Sequence, residues 1–162
     1  MKKFHYFWIP LAVIILDQIS KILVRNYIAV GDVIKITRKF IWITCVQNTG
    51  AAFSFSFGNA IINKIIFISI TIVAIILIIY FIKKSNSRLE IISFALILGG
   101  AVGNLIDRIV IGSVTDFIWC DFPDFLMKRW PVFNIADSSI VIAICLMIGY
   151  TLFYRKDPVE DK

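Results

Sequence analysis

From Ile65 to Ile82 the chain runs eighteen residues without a charged side chain. As a helix this run would be roughly 27 Å long at 1.5 Å per residue, close to the roughly 30 Å hydrocarbon core of a bilayer. Three further apolar stretches accompany it: Phe4 to Val24, Ile91 to Ile106 (again uncharged) and Ser138 to Tyr154. With a flanking turn each, they predict spans at about 4–24, 61–82, 89–108 and 135–154. An open sheet would leave unsatisfied edges in lipid, so the spans must be helical. The expected fold class is an all-α polytopic membrane protein: one membrane domain over residues 1–162, four transmembrane helices and a small extracytoplasmic β-rich segment.

Composition agrees. Hydrophobic residues make up 59% of the chain and charged residues 17%, against about half and a quarter in soluble domains. The net charge of +6 suits Lys and Arg at anionic membrane surfaces; no nucleic-acid motif is present. MKKFHYFWIPLAVIIL resembles a signal peptide without a small-residue cleavage site, and reads as an uncleaved first span. Four spans put both termini on one side, with Lys83, Lys84 and Arg88, which the positive-inside rule makes cytoplasmic. Arg25, Lys35 and Arg108 on the other side weaken that bias. Segment 26–60, rich in Ile, Val, Thr and Trp, predicts short antiparallel surface strands. Segment 109–132 reads as an interfacial loop with aromatic anchors. Cys45, Cys120 and Cys145 form no CxxC, so no metal site or cofactor is expected; pairing of Cys45 with Cys120 stays open.

Ionisable groups in a span cost about 2.5–3.5 kcal/mol each at the centre on insertion scales, so each one requires a reason. Asp17 and Lys21 are four apart and share a helix face, as a structural ion pair or as a substrate contact. Lys64 fits a helix end, where it can snorkel. Span three ends in GGAVGNLIDR. There Gly99 and Gly103 give a small-residue face for close helix approach, and Asn104, Asp107 and Arg108 follow on nearly one face. Asp116, in VTDFIW, lies just past span three. Asp137, in FNIAD, lies at the start of span four, three residues after a candidate N-cap, Asn134. Singly, each aspartate has an ordinary structural explanation. Together they sit at one membrane face, where two close carboxylates share a proton. One can then activate water while the other serves the carbonyl oxygen and the leaving amine.

D17-Q-I-S-K21, N48-T-G-A-A-F53, G99-G-A-V-G-N-L-I-D-R108, V114-T-D-F-I118 and F133-N-I-A-D137 resemble, in order, the motifs of bacterial lipoprotein signal peptidase, the type II enzyme. The resemblance covers nearly the whole chain. It implies a cell-membrane aspartic endopeptidase that removes signal peptides from prolipoproteins, just before a cysteine already carrying diacylglyceryl. Asp116 and Asp137 would be catalytic. Asn48, Gly50, Phe53, Asn104, Asp107, Arg108 and Asn134 would bind substrate or support the site, and Asp17 and Lys21 would support the structure. It also implies membrane lipids as partners, inhibition by peptide antibiotics such as globomycin, and a monomer. The stretch between the two aspartates is somewhat longer than expected and adds Asp121 and Asp124. The residues alone leave three alternatives: a small transporter or channel lined by Asp17, Lys21 and Asp107; a Ser/Lys peptidase based on Lys21; and a non-enzymatic assembly protein using the glycine face.

Overall fold

The computed structural model of the chain describes residues 3–37, 40–50, 59–120 and 131–153. Phe53, Asp121 and Asp124 lie outside the described residues. A short 3-10 turn, Lys3–Phe7, leads into α1 (Trp8–Tyr27); α2 (Ala60–Lys84), α3 (Arg88–Val110) and α4 (Ile135–Phe153) complete the helices. All four are long and apolar enough to cross a membrane. The molecule is mostly helical, with one small three-stranded sheet.

The bundle is organised around α3, which packs against the three other helices. Small residues let it do so. A Cβ on Gly99 would come within 2.7 Å of Val13 on α1. One on Gly103 would come within 2.7 Å of the Asp17 carboxylate. One on Gly100 would collide with the Ala136 carbonyl and sit 2.7 Å from both Ser139 and Ile140 on α4. The glycine face expected for one partner helix therefore serves two. By contrast, α2 buries little of its surface: Ile61, Ile65, Ile72, Ile76 and Leu77 are all exposed, as lipid-facing side chains are. α2 and α4 each pack on α3 and barely touch each other.

The sheet runs β1 (Val33–Lys35), β2 (Ile41–Asn48), β3 (Val114–Cys120), all antiparallel. β1 and β2 fall where β-rich sequence predicts strands. β3 falls inside the segment read as an interfacial loop, and this is a correction. VTDFIWC is a strand because β2 offers it a partner edge, and four of its residues, Val114 to Phe117, are buried. A bridge from Ile118 to Phe133 ties the lead-in of α4 to the same strand. Cys45 and Cys120 are both free thiols.

The packing predicts that Gly100→Ala destabilises the protein by about 1–3 kcal/mol through overpacking. Gly149→Ala should be harmless, because a Cβ there meets nothing within 4 Å. Thermal unfolding of both variants in detergent checks this: a lowered midpoint is expected for the first alone.

Candidate active site

β3 and the first turn of α4 bring Asp116 and Asp137 to one cavity of about 280 Å³, which Asn48, Asn104, Arg108, Val114, Phe133 and Ile140 also line. α4 starts here for a local reason. Asn134 Oδ1 accepts from the Asp137 N–H at 2.9 Å, and Asp137 Oδ2 accepts from the Asn134 N–H at 3.2 Å. This reciprocal capping box closes the helix N-terminus and leaves the other oxygen of Asp137 for Asn104, whose Nδ2 donates to Oδ1 at 2.8 Å.

Asp116 is held in the same way. Asn134 Nδ2 donates to its Oδ1 at 2.7 Å and Asn48 Nδ2 to its Oδ2 at 3.0 Å. Side-chain amides suit this task because they carry donors without charge. Asn104 and Asn134, expected to bind substrate or support the site, both direct N–H donors at the aspartates. Asn134 also donates to Asn104 Oδ1 at 3.1 Å, joining the two carboxylates in one network. Burial pushes the Asp116 carboxyl up to about 6. The Asn48 and Asn134 bonds oppose that rise, and the neighbouring Asp137 adds to it.

Beneath the pair lies an ionic cluster. Lys21 Nζ is 2.8 Å from Asp17 Oδ2 and 3.2 Å from Asp107 Oδ2, with all three side chains fully buried. The same ammonium donates to Asn104 Oδ1 at 2.8 Å, which turns the Asn104 amide so that its N–H faces Asp137. Asp17 Oδ1 accepts from the Ala136 N–H at 3.0 Å, reaching α4 directly. These three residues are sealed from solvent and mutually paired.

Arg108 was expected to bind substrate or support the site. Asp107, its neighbour in sequence, is held by Lys21 and Arg25. Arg108 donates to the Gly50 carbonyl at 3.3 Å and the Asn104 carbonyl at 3.4 Å, and lies 5.4 Å from the Phe67 ring centroid. Gly50 receives a second tie from its N–H to Asn48 Oδ1 at 3.0 Å. Lys64 does not simply snorkel; it donates to the Ile109 carbonyl at the end of α3. Trp42 packs edge-on against Trp119, with ring centroids 4.9 Å apart. Sequence reading missed Gln18, Arg25, Gln47 and Thr115. Gln18 Nε2 donates to Asp17 Oδ2 and to the Gly103 carbonyl. Arg25, one turn beyond Lys21, carried a signal in its i, i+4 spacing; the polar side chains of Gln47 and Thr115 carried none. Among the described residues no group of His, Cys, Asp and Glu could hold a metal ion.

Four membrane-length helices and a carboxylate-lined cavity define a multi-pass membrane protein. The signal peptidase II family profile matches residues 9–153. A lipoprotein signal peptidase of Halothermothrix orenii is 45% identical over 154 residues, covering 94% of this chain and 97% of the relative. One from a Sulfurihydrogenibium species is 38% identical over 166 residues, covering 99% and 98%. Two solved structures of a bacterial membrane enzyme superpose with TM-scores of 0.81 and 0.78. They are 32% and 31% identical, over 93% and 96% of this chain and 94% of each structure. The chain belongs to the signal peptidase II family of peptidases.

The carboxyl C=O stretch of protonated Asp116 gives a direct check on the site. In infrared difference spectra of wild type against Asp116→Asn, its titration midpoint should fall near pH 6. Asn48→Ala removes a donor that favours the charged form and should move that midpoint to higher pH. A midpoint near 4, or one insensitive to Asn48, would contradict the account.

Proposed function

We propose that this protein is an aspartic endopeptidase that removes the signal peptide from diacylglyceryl-modified prolipoproteins, cutting just before the lipid-bearing cysteine. One observation carries the reading. Two carboxylates from separate elements border a single cavity, each held by two uncharged N–H donors: Asp116 by Asn48 and Asn134, Asp137 by Asn104 and the Asn134 backbone. Uncharged donors orient the carboxylates without neutralising them by a direct ion pair. The relatives are named lipoprotein signal peptidases, which supports the substrate class.

Water between the two carboxylates loses a proton to the ionised member as its oxygen attacks the scissile carbonyl. The protonated member hydrogen-bonds the developing oxyanion. Collapse of the tetrahedral intermediate passes a proton to the departing amine, and the pair returns to one shared proton. The two groups act as a unit, so neither has a fixed role as acid or base. No cofactor or metal takes part in the proposed steps. The substrate carries an apolar signal helix and acyl chains, so it reaches the pair sideways from lipid. The apolar lining of the cavity supports that route: Ile140 and the exposed Val141 of α4 border it beside Asp137.

Both termini are placed in the cytoplasm, the side of Lys83, Lys84 and Arg88, with the cavity at the opposite, outer face of the bacterial cell membrane. Gly50, fixed by Arg108, leads into the segment containing Phe53, assigned with Gly50 to the substrate side. Peptide antibiotics such as globomycin would occupy the same cavity.

The test is cleavage of a diacylglyceryl-modified prolipoprotein by purified protein in detergent. Asp116→Asn and Asp137→Asn should each lower the rate by at least 10²–10⁴-fold, the usual scale of acid–base contributions, with unfolding midpoints maintained and globomycin blocking the wild type. Full activity in either variant, or proton or cation flux through the wild type in liposomes without cleavage, would overturn the assignment.

A further inference from the structure

Thr115, immediately before Asp116 on β3, is fully buried, and each of its polar groups is held by a different part of the molecule. Its N–H donates to Asp107 Oδ2 of α3 at 3.0 Å. Its hydroxyl oxygen accepts from Arg25 Nη1 of α1 at 2.9 Å and from Gln47 Nε2 of β2 at 3.2 Å. Its carbonyl accepts from Asn134 Nδ2 at 3.5 Å. Arg25 Nη1 also lies 3.5 Å from Asp107 Oδ1, so Arg25, Asp107 and Thr115 close a ring. Neither Arg25 nor Thr115 lines the cavity.

Two features make this ring consequential. Side chains alternate across a strand, so with Asp116 facing the cavity, Thr115 faces the helices, and a slide of one carries the other along. The β2–β3 ladder is also irregular beside Asp116. Asp116 pairs with Val46, but the register shifts between Ile43 and Val46, beside that pair. A bulge disrupts the ladder locally and leaves a residue unpaired there, so contacts from other elements add to the placement of the strand. The hydroxyl of Thr115, pinned from α1, supplies one.

We propose that Thr115 and Arg25 are positioning residues for the reaction: α1 fixes the register of β3 through the Arg25–Thr115 bond, and so places the Asp116 carboxylate opposite Asp137. This rests on the reading of Asp116 and Asp137 as the catalytic pair. Arg25 and Thr115 touch no substrate; they act through the strand. The charged groups around Asp116, namely Asp137 on α4, Lys21 on α1 and Arg108 on α3, are all unchanged in a Thr115→Val variant.

The experiment compares full-length wild type, Thr115→Val, Thr115→Ser and Arg25→Gln by cleavage kinetics, Asp116 infrared titration and thermal unfolding. Small misplacements of reacting groups cost up to about 100-fold. Thr115→Val should lower kcat about tenfold with KM within about twofold, and Thr115→Ser should restore it. The Asp116 midpoint should rise in Thr115→Val, as the Asn48 and Asn134 donors lose alignment, and return in Thr115→Ser. Wild-type kcat and midpoint in Thr115→Val would overturn the proposal, and so would a failure of serine to rescue. A moved midpoint with unchanged kcat would uphold the positioning of Asp116 and refute its catalytic role instead. Should Thr115→Val not fold, Arg25→Gln carries the kcat arm of the test with the same expected drop, and its midpoint is left aside because loss of the Arg25 charge beside Asp107 would itself raise it.

Discussion

The Asp17–Lys21–Asp107 cluster is the constraint on which the rest of the site depends. Three charged side chains with no exposed surface are tolerable in a membrane protein only if they satisfy one another and their neighbours. Here the excess negative charge is met by Arg25, and the spare hydrogen-bonding capacity is turned outward. Asp17 reaches the Ala136 N–H at the start of α4, Asp107 the Thr115 N–H on β3, and Lys21 the Asn104 amide on α3. Each charge thus fixes an element that carries a site residue. Removing one member of such a buried set leaves an uncompensated charge, typically at a cost of 3–5 kcal/mol, and would also release α4 or β3. Stability and geometry of the site are therefore the same problem in this molecule.

Glycine makes that cluster possible. Asp17 can lie against α3 only because Gly103 has no side chain there, and the close approach of α1 at Gly99 brings Lys21 within reach of Asn104 and Asp107. Gly100 does the same for α4 on the neighbouring face of α3, bringing the Asn134 cap beside Asn104. The polar network is assembled from side chains, but its distances are set by where backbone can meet backbone.

Much of this was legible in the sequence. Uncharged apolar runs dictate membrane helices, because lipid leaves backbone groups no other partner. Asn134 and Asp137, three apart before an apolar run, spell a cap whose bonds the structure contains. What stayed hidden was long-range. VTDFIWC carries strand-forming residues, yet its strand depends on an edge supplied by residues some seventy positions earlier, so it read as loop. Arg108 sits next to Asp107 in sequence, and the two were read as lying on nearly one face. On a helix, however, adjacent residues point about 100° apart, so Asp107 faces α1 while Arg108 faces the cavity. Thr115 gave no signal because its importance lies in four neighbours scattered along the chain, Arg25, Gln47, Asp107 and Asn134. Gln47, which shares the Thr115 hydroxyl, was invisible for the same reason.

The concentration of polar groups at one end of the bundle has its own logic. Asp17, Lys21 and Arg25 fall on the last three turns of α1, Asn104, Asp107 and Arg108 on the last two of α3, and Asn134 and Asp137 on the first of α4. Helix ends expose unsatisfied backbone groups, so polar side chains placed there meet partners that mid-helix residues would lack. The Ala136 N–H accepted by Asp17 and the Ile109 carbonyl accepting from Lys64 are both of this kind. β3 crosses the same end and adds a strand's worth of backbone donors, including the Thr115 N–H taken by Asp107. A carboxylate pair can therefore be buried at the edge of an apolar bundle without charged partners of its own: the helix ends and strand satisfy the supporting charges, leaving four amide-type N–H donors to orient the pair.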